Sequence, residues 1–245
     1  MKKKAALLLL LVMVCSPSVW ARTLVVASDA TWPPMEMMDS EKNISGFCPD
    51  LVHAIAKAGG FEVEIKNTAW DGIFAGLAAG KYDLIASSVS ITEERKRAMI
   101  FSDPYFEVKQ GVIINSDSGI RSEADLDGKI VGAQIGTTGY FSAKKIKGVT
   151  AKSYDEVGLA IEDLYNGRLD AVICDDAVAA DYALQNPTYS EKLGLGFMIV
   201  PEKPEYLGFA ARKGNEDVIE LMNKGLKKVR ESGEYDVIFN KWFGN

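Results

Sequence analysis

The chain has one histidine, His53, and three cysteines, Cys15, Cys48 and Cys174, in 245 residues. With no Cys/His cluster at ligand spacing, a zinc site is not expected. A Ser-His-Asp triad would have to use His53, which falls in a helical stretch and reads as a surface position. Long apolar runs are missing as well: past the N-terminus, no segment reaches the roughly 20 apolar residues that a membrane-spanning helix needs. Positive charge is in deficit, with 28 basic against 34 acidic residues. This argues against nucleic acid or an anionic membrane surface as a partner.

What is present begins with a leader. Met1-Lys2-Lys3-Lys4 is followed by an apolar run over residues 5–15 and a small-residue site, Val19-Trp20-Ala21. These are the basic, apolar and cleavage regions of a secretory signal peptide. Cys15 offers a lipoprotein alternative, but Val14 stands where a small residue would precede it, so cleavage is placed after Ala21. The mature chain then keeps 25 basic and 34 acidic residues, a net charge of −9, and is expected to be exported to the periplasm. About 224 residues remain, enough for one large core or two small ones. Cys48 and Cys174 lie far apart in sequence and are expected as two free thiols in different lobes.

The mature chain alternates strands and helices. Thr23–Ser28 is an apolar strand, followed by a turn at Trp32-Pro33-Pro34. Gly46-Phe47-Cys48-Pro49-Asp50 opens a helix with proline in the first turn, where its missing N–H costs nothing. Leu51, Ile55 and Ala58 recur at helical spacing, and Gly59-Gly60 ends the helix. Phe61, Val63 and Ile65 alternate as a strand. A helix over residues 71–79 stops at Gly80, and a strand over residues 82–86 follows. This unit has an echo: Ala78-Ala79-Gly80-Lys81-Tyr82-Asp83-Leu84-Ile85 is similar to Tyr165-Asn166-Gly167-Arg168-Leu169-Asp170-Ala171-Val172. Ser153-Tyr154-Asp155-Glu156 reads as a capping box for the second helix.

Each unit ends in polar residues, Ser87-Ser88 in one and Cys174-Asp175-Asp176 in the other. The pattern indicates two α/β lobes whose strand ends face each other across a cleft. An extended run over residues 105–115 and a connector, Val200-Pro201-Glu202-Lys203-Pro204, are the crossings between lobes and form a two-strand hinge. The expected organisation is a leader over 1–21, lobe one over 22–111, lobe two over 112–204 and a return to lobe one over 205–245. The return carries a strand over residues 206–211 and a final helix with Asn215 as its cap. Val218, Leu221, Met222, Leu226 and Val229 form the apolar face of that helix.

Residues 87–95 read Ser-Ser-Val-Ser-Ile-Thr-Glu-Glu-Arg at the end of a buried strand. Thr92, Glu93 and Glu94 suit a helix N-terminus, while Ser88, Ser90 and Arg95 exceed what a cap needs. Ligands of open α/β sheets bind beyond the carboxyl ends of strands, and arginine's planar fork suits a carboxylate. Gln134-Ile135-Gly136-Thr137-Thr138-Gly139 is a second strand end whose backbone N–H groups can hold an anion. It lacks the P-loop lysine, so a nucleotide phosphate is not expected. Asp175, at a third strand end, can hold an ammonium group. Trp32 and Trp70 sit at turns and can clamp an apolar or cationic side chain. A carboxylate receptor, an ammonium receptor and an aromatic clamp together describe a free amino acid.

With these motifs the mature chain resembles the family 3 extracellular solute-binding proteins, the polar amino-acid receptors of ABC importers. The resemblance rests on Val26-Ala27-Ser28-Asp29 with Trp32-Pro33-Pro34-Met35-Glu36, Gly46-Phe47 with Asp50-Leu51, and Trp70-Asp71-Gly72-Ile73. It continues through Ser90-Ile91-Thr92-Glu93-Glu94-Arg95, Phe101-Ser102-Asp103-Pro104-Tyr105, Gly136-Thr137-Thr138 and Lys241-Trp242-Phe243-Gly244. It implies a type II periplasmic binding protein fold that closes on its ligand by hinge motion. Arg95, with Thr137 and Thr138, would take the ligand α-carboxylate. Asp175, with oxygens from Ser88 and Ser90, would take the α-ammonium. Trp32 and Trp70 would sandwich the side chain, and Asp29, Glu36 and Gln134 would meet its distal end.

One departure is Cys48-Pro49, where the family usually carries a capping aspartate; it is expected to touch local stability more than the site. If Asp29 and Glu36 both reach the distal end, arginine or lysine is favoured. If Glu36 is occupied elsewhere, glutamine or histidine fits. The partners implied are a free L-amino acid and the membrane permease of an ABC importer, with no cofactor, no metal and a monomeric chain. The alternative is a cyclohexadienyl dehydratase-like enzyme on the same scaffold, which would need an acid–base group in the cleft.

Overall fold

The computed structural model describes residues 22–244; the leader expected over 1–21 lies outside the described residues. Thr23–Ser28 forms the strand its apolar pattern requires, with Leu24, Val26 and Ala27 fully buried. It runs parallel to Glu62–Asn67 on one side and Leu84–Ile85 on the other. Glu62–Asn67 is the sheet edge, and it alternates charged Glu62, Glu64 and Lys66 with apolar Val63 and Ile65. Such charges discourage edge-to-edge pairing. Ala210–Arg212 and then Met99–Phe101 complete this five-stranded sheet. The second sheet has the order Thr150–Tyr154, Ile130–Gln134, Ala171–Asp175, Gln110–Asn115, Leu193–Ile199.

The two sheets share one topology. In each, one strand runs against its neighbours, Ala210–Arg212 in the first and Gln110–Asn115 in the second. Each is the strand that has just arrived from the other lobe. The arriving strands follow Glu205–Leu207 and Phe106–Val108, which pair antiparallel with Glu205 opposite Val108 and Leu207 opposite Phe106. These paired crossings are the two-strand hinge.

The sequence echo has a structural cause. Asp83 donates its N–H to the Val25 carbonyl at 2.8 Å, and its Oδ2 accepts the Val25 N–H at 2.9 Å. Asp170 makes the same clasp on Ile130, at 2.9 and 2.8 Å. Gly80 and Gly167, which precede these aspartates, both adopt left-handed backbone at φ 71° and 72°, a conformation that glycine enters without Cβ strain. Each clasp fixes one strand against its neighbour, and both strands then run out into the cleft.

Several local expectations give way to longer-range structure. Ser153 does not cap the helix Val157–Tyr165; Glu156 holds the N-cap position without a side-chain bond. Ser153 is instead taken up by the strand Thr150–Tyr154, where it pairs with Ala133, so the sheet ladder displaces the capping box. The return strand is split into Glu205–Leu207 and Ala210–Arg212. Between them the Phe209 N–H donates to Ser102 Oγ at 2.9 Å. Asn215 precedes the helix Glu216–Glu231 without a side-chain cap bond, and that helix buries Val218, Met222, Leu226 and Val229. His53 is exposed on the helix Phe47–Gly59. Cys48 and Cys174 are buried free thiols.

Candidate functional site

The strand ends of both lobes converge on one cavity. Asp29, Trp32, Glu36, Trp70, Ser88, Ser90, Arg95, Gln134, Thr137, Thr138 and Asp175 all line it, and Ser87 joins them. The sequence reading thus brings its candidate residues to one place, with Ser87 the lining residue it left out.

Arg95 stands in the helix Glu93–Ala98, whose N-terminus is capped by Thr92: the Thr92 hydroxyl accepts the Arg95 N–H at 3.2 Å. The cap and the site share one helix turn, which places the guanidinium at the cleft. Nη1 donates to the Ser90 carbonyl at 2.9 Å and Nη2 to the Gly136 carbonyl at 3.1 Å. Two of the five N–H donors are used in these bonds, leaving the fork able to pair with a carboxylate. The guanidinium carbon lies 5.5 Å from the Trp70 ring centre and 5.1 Å from that of Phe74. Burial lowers the Arg95 pKa to about 10, against the opposing charges of Asp175, Glu205 and Glu94. It remains a cation at neutral pH.

Gly136 turns the chain at φ 69°, presenting its carbonyl to Arg95. Thr137 follows as the N-cap of the helix Thr138–Lys145: its hydroxyl accepts the Tyr140 N–H at 3.2 Å and donates to the Gln134 carbonyl at 2.7 Å. The Thr137 side chain therefore serves the turn. Beside Arg95 from the other lobe, this segment offers an anion the Thr138 hydroxyl and first-turn N–H groups that have no intrahelical partner.

Asp175 ends the strand Ala171–Asp175 and is buried. Its Oδ1 accepts from Gln110 Nε2 at 2.8 Å, and its Oδ2 accepts from the Trp32 indole N–H at 3.4 Å. Burial, and then the charge of Glu205, raise its pKa to about 7, against the lowering effect of the Gln110 and Trp32 bonds. An arriving ammonium would reverse that shift.

Three acids are grouped in the cavity. Asp29 Oδ1 accepts from the Thr31 hydroxyl at 2.9 Å, and Oδ2 accepts from Gln134 Nε2 at 2.9 Å. Its backbone N–H donates to Ser87 Oγ at 2.8 Å. Glu36 is wholly buried. Its Oε2 accepts from the Ser88 hydroxyl at 3.0 Å, while Oε1 has no hydrogen-bond partner among the described residues. Burial holds its pKa well above the carboxylate range, and the charges of Asp29 and Asp175 add to the rise. Ser88 is a buried non-glycine residue in the left-handed region, at φ 44°. Its hydroxyl faces Glu36, so the side chain supports the acid group.

Cys48 adjoins the Glu36 carboxyl and lies 3.7 Å from the Tyr105 hydroxyl. The Cys48-Pro49 departure therefore falls behind the Glu36 carboxyl, and not only on the start of a helix. Gly46 occupies that helix's N-cap, with no side-chain bond.

The lobes are in contact across the cavity. Besides Arg95 to Gly136, Gln134 to Asp29 and Trp32 to Asp175, the Trp70 indole N–H donates to the Ile135 carbonyl at 2.9 Å. Ser90 Oγ and Thr138 Oγ1 are 3.4 Å apart. Each indole is tied through its N–H to the opposite lobe. Sequence reasoning passed over Phe74, Gln110 and Glu205. Phe74 follows Trp70 by one helical turn, a spacing that could have revealed it, whereas the other two lie on the hinge crossings and carry no local motif.

Residues 24–245 match the model of the bacterial extracellular solute-binding proteins, family 3. A probable histidine-binding protein of Neisseria gonorrhoeae is 43% identical over 223 residues, which are 89% of this chain and 82% of the relative. The solved arginine-, lysine-, histidine-binding protein ArtJ of Geobacillus stearothermophilus is 38% identical and superposes with a TM-score of 0.85 over 91% of this chain and 96% of its own. An ancestral amino-acid-binding protein, a precursor of cyclohexadienyl dehydratase, is 35% identical with a TM-score of 0.80 over 90% and 95% of the two chains.

Proposed function

Since the chain belongs to the family 3 bacterial extracellular solute-binding proteins, we propose that it is a periplasmic receptor for a cationic amino acid, arginine or lysine. In this reading it acts as a monomer and hands its ligand to the permease of an ABC importer. The observation that carries the ligand reading is the charge balance of the cavity, which sets one guanidinium, Arg95, against three carboxyl groups, Asp29, Glu36 and Asp175.

Arg95 and Asp175 answer the two ends of any amino acid. That leaves Asp29 and Glu36, both desolvated and both disfavoured as anions. A cationic side chain relieves that penalty for both acids at once; a neutral one does not, and glutamate would add to it. Trp32 and Trp70 supply the aromatic surface, where a cation gains about 0.5–2 kcal/mol. Of the relatives, the arginine-, lysine-, histidine-binding protein supports the cationic class, while the probable histidine-binding protein fits the histidine alternative.

A thermal-shift panel of free amino acids tests the reading. A ligand at a thousand times its Kd adds about 4 kcal/mol to the folded state, which is on the order of 10 °C in Tm for a chain of this size. Arginine or lysine should give the largest rise, glutamine a smaller one and glutamate the least. A largest rise with glutamate or an aliphatic amino acid would sink the cationic reading. The dehydratase alternative is favoured by one observation, the unpartnered oxygen on the buried Glu36 carboxyl. No product is expected on incubation with prephenate or arogenate, and sustained product formation would make that alternative the correct one.

A further inference from the structure

Gln110 and Glu205 stand outside the cavity lining, on the two crossings between the lobes, yet they reach its ammonium end. Gln110 begins the strand that arrives from lobe one and lies directly opposite Asp175 in the antiparallel ladder. Its side chain is buried. Nε2 donates to Asp175 Oδ1 at 2.8 Å and is 3.2 Å from Thr138 Oγ1 and 3.3 Å from Glu205 Oε2. One amide nitrogen thus stands between a cavity carboxylate and a hinge carboxylate. Turning the amide over would set its oxygen against both, so the nitrogen is held toward them. Glu205 Oε1 is buried and has no partner among the described residues.

We propose that the hinge takes part in ligand recognition: Gln110 and Glu205 are positioning residues that set how strongly Asp175 holds the ligand's ammonium. This rests on the receptor reading above. Glu205 supplies a like charge that opposes ionisation of Asp175, and Gln110 supplies the donor that favours it. The other charged or titratable groups around Asp175 are Arg95 and Glu36 from lobe one and Cys174 and Asp176 on its own segment, with Lys109 facing Asp176. Glu205 and Gln110 are distinguished from these by lying where the crossings meet lobe two: Glu205 pairs with Val108, and Gln110 begins the strand that follows.

The two residues should act in opposite directions, which a merely structural role would not produce. The test is a ¹³C carboxyl NMR titration of Asp175 in the ligand-free, full mature protein. Glu205→Gln should move the Asp175 midpoint down by about half a pH unit or more, and Gln110→Leu should move it up by a similar amount. The pH profile of arginine affinity should follow: at pH 6, Glu205→Gln should bind several-fold more tightly than wild type, and Gln110→Leu several-fold more weakly. Glu205→Gln preserves shape, so it carries the test alone if Gln110→Leu does not fold. Midpoints unmoved in a protein that binds arginine, or both moved in one direction, would overturn the hinge role and leave the receptor reading standing. Midpoints that move as stated in a protein that binds no amino acid would overturn the receptor reading and recognition by the hinge with it.

Discussion

Arg95→Ala is expected to remove measurable amino-acid binding. The guanidinium is the one cationic side chain lining the cavity among the described residues, and its proposed pairing with a ligand carboxylate would take place out of bulk water. Truncating one partner of a buried, hydrogen-bonded ion pair costs about 2–5 kcal/mol, which is roughly 30-fold to several thousand-fold in Kd. The variant also loses the bonds to the Ser90 and Gly136 carbonyls, the second of which joins the lobes. Arg95→Lys separates the two contributions. It keeps the charge but not the fork, so its affinity should lie between wild type and the alanine variant. Calorimetry showing wild-type affinity in Arg95→Ala would remove this residue from the site.

Asp175→Asn is expected to weaken binding by a similar factor and, in addition, to flatten its pH dependence. In the arrangement described, burial and the charge of Glu205 raise the Asp175 carboxyl pKa to about 7, and only its ionised form attracts an ammonium. Arginine affinity should therefore fall about tenfold for each pH unit below 7 and level off above it. Binding at pH 6 should release close to one proton per ligand. For the fold itself the sign is opposite. A carboxyl whose pKa is raised from the unfolded value of about 3.9 stabilises the ligand-free protein fully below that value, and the contribution is lost as pH rises through 7. Asp175→Asn should remove the Asp175 share of both slopes and leave the part due to Glu36 and Asp29, whose pKa values burial also raises. Titrations between pH 5.5 and 8 check the first, and unfolding curves over the same range check the second. Equal pH slopes in variant and wild type would assign the titration to another group.

Much of the site was legible because its residues sit where local chemistry and topology coincide. Thr92 caps a helix and thereby aims Arg95, and Asp175 closes a strand of continuous apolar residues. Trp32 and Trp70 flank turns. Each is visible within a few residues of sequence. The fold was legible for a related reason: the glycine–aspartate clasp occurs twice, and each copy marks a strand running into the cleft.

What was hidden depends on pairing between distant segments. Ser153 has every local mark of a cap, but a parallel ladder with Ala133 claims it. Cys48 reads as a helix-start variation, and only the fold sets it against Glu36. Gln110 meets Asp175 through an antiparallel register spanning 65 residues, and Glu205 arrives from 95 residues beyond Gln110. No spacing rule connects such positions. The Ser88 hydroxyl, expected to offer an oxygen to the ammonium, also donates to Glu36, a contact that only three-dimensional neighbours reveal.

The central claim is that the cavity reads both charged ends of one free amino acid. The most direct measurement is calorimetric titration of the mature protein, unfolded and refolded to strip any ligand, with L-arginine, Nα-acetyl-L-arginine and L-arginine amide. L-arginine should bind with a stoichiometry of one. The acetylated form lacks the ammonium that Asp175 requires and the amide lacks the carboxylate that Arg95 requires, so each should lose about 30-fold or more in affinity. Binding of either blocked form as tightly as L-arginine, or no heat with any of the three, would contradict the assignment of Arg95 and Asp175 to the two ends of the ligand.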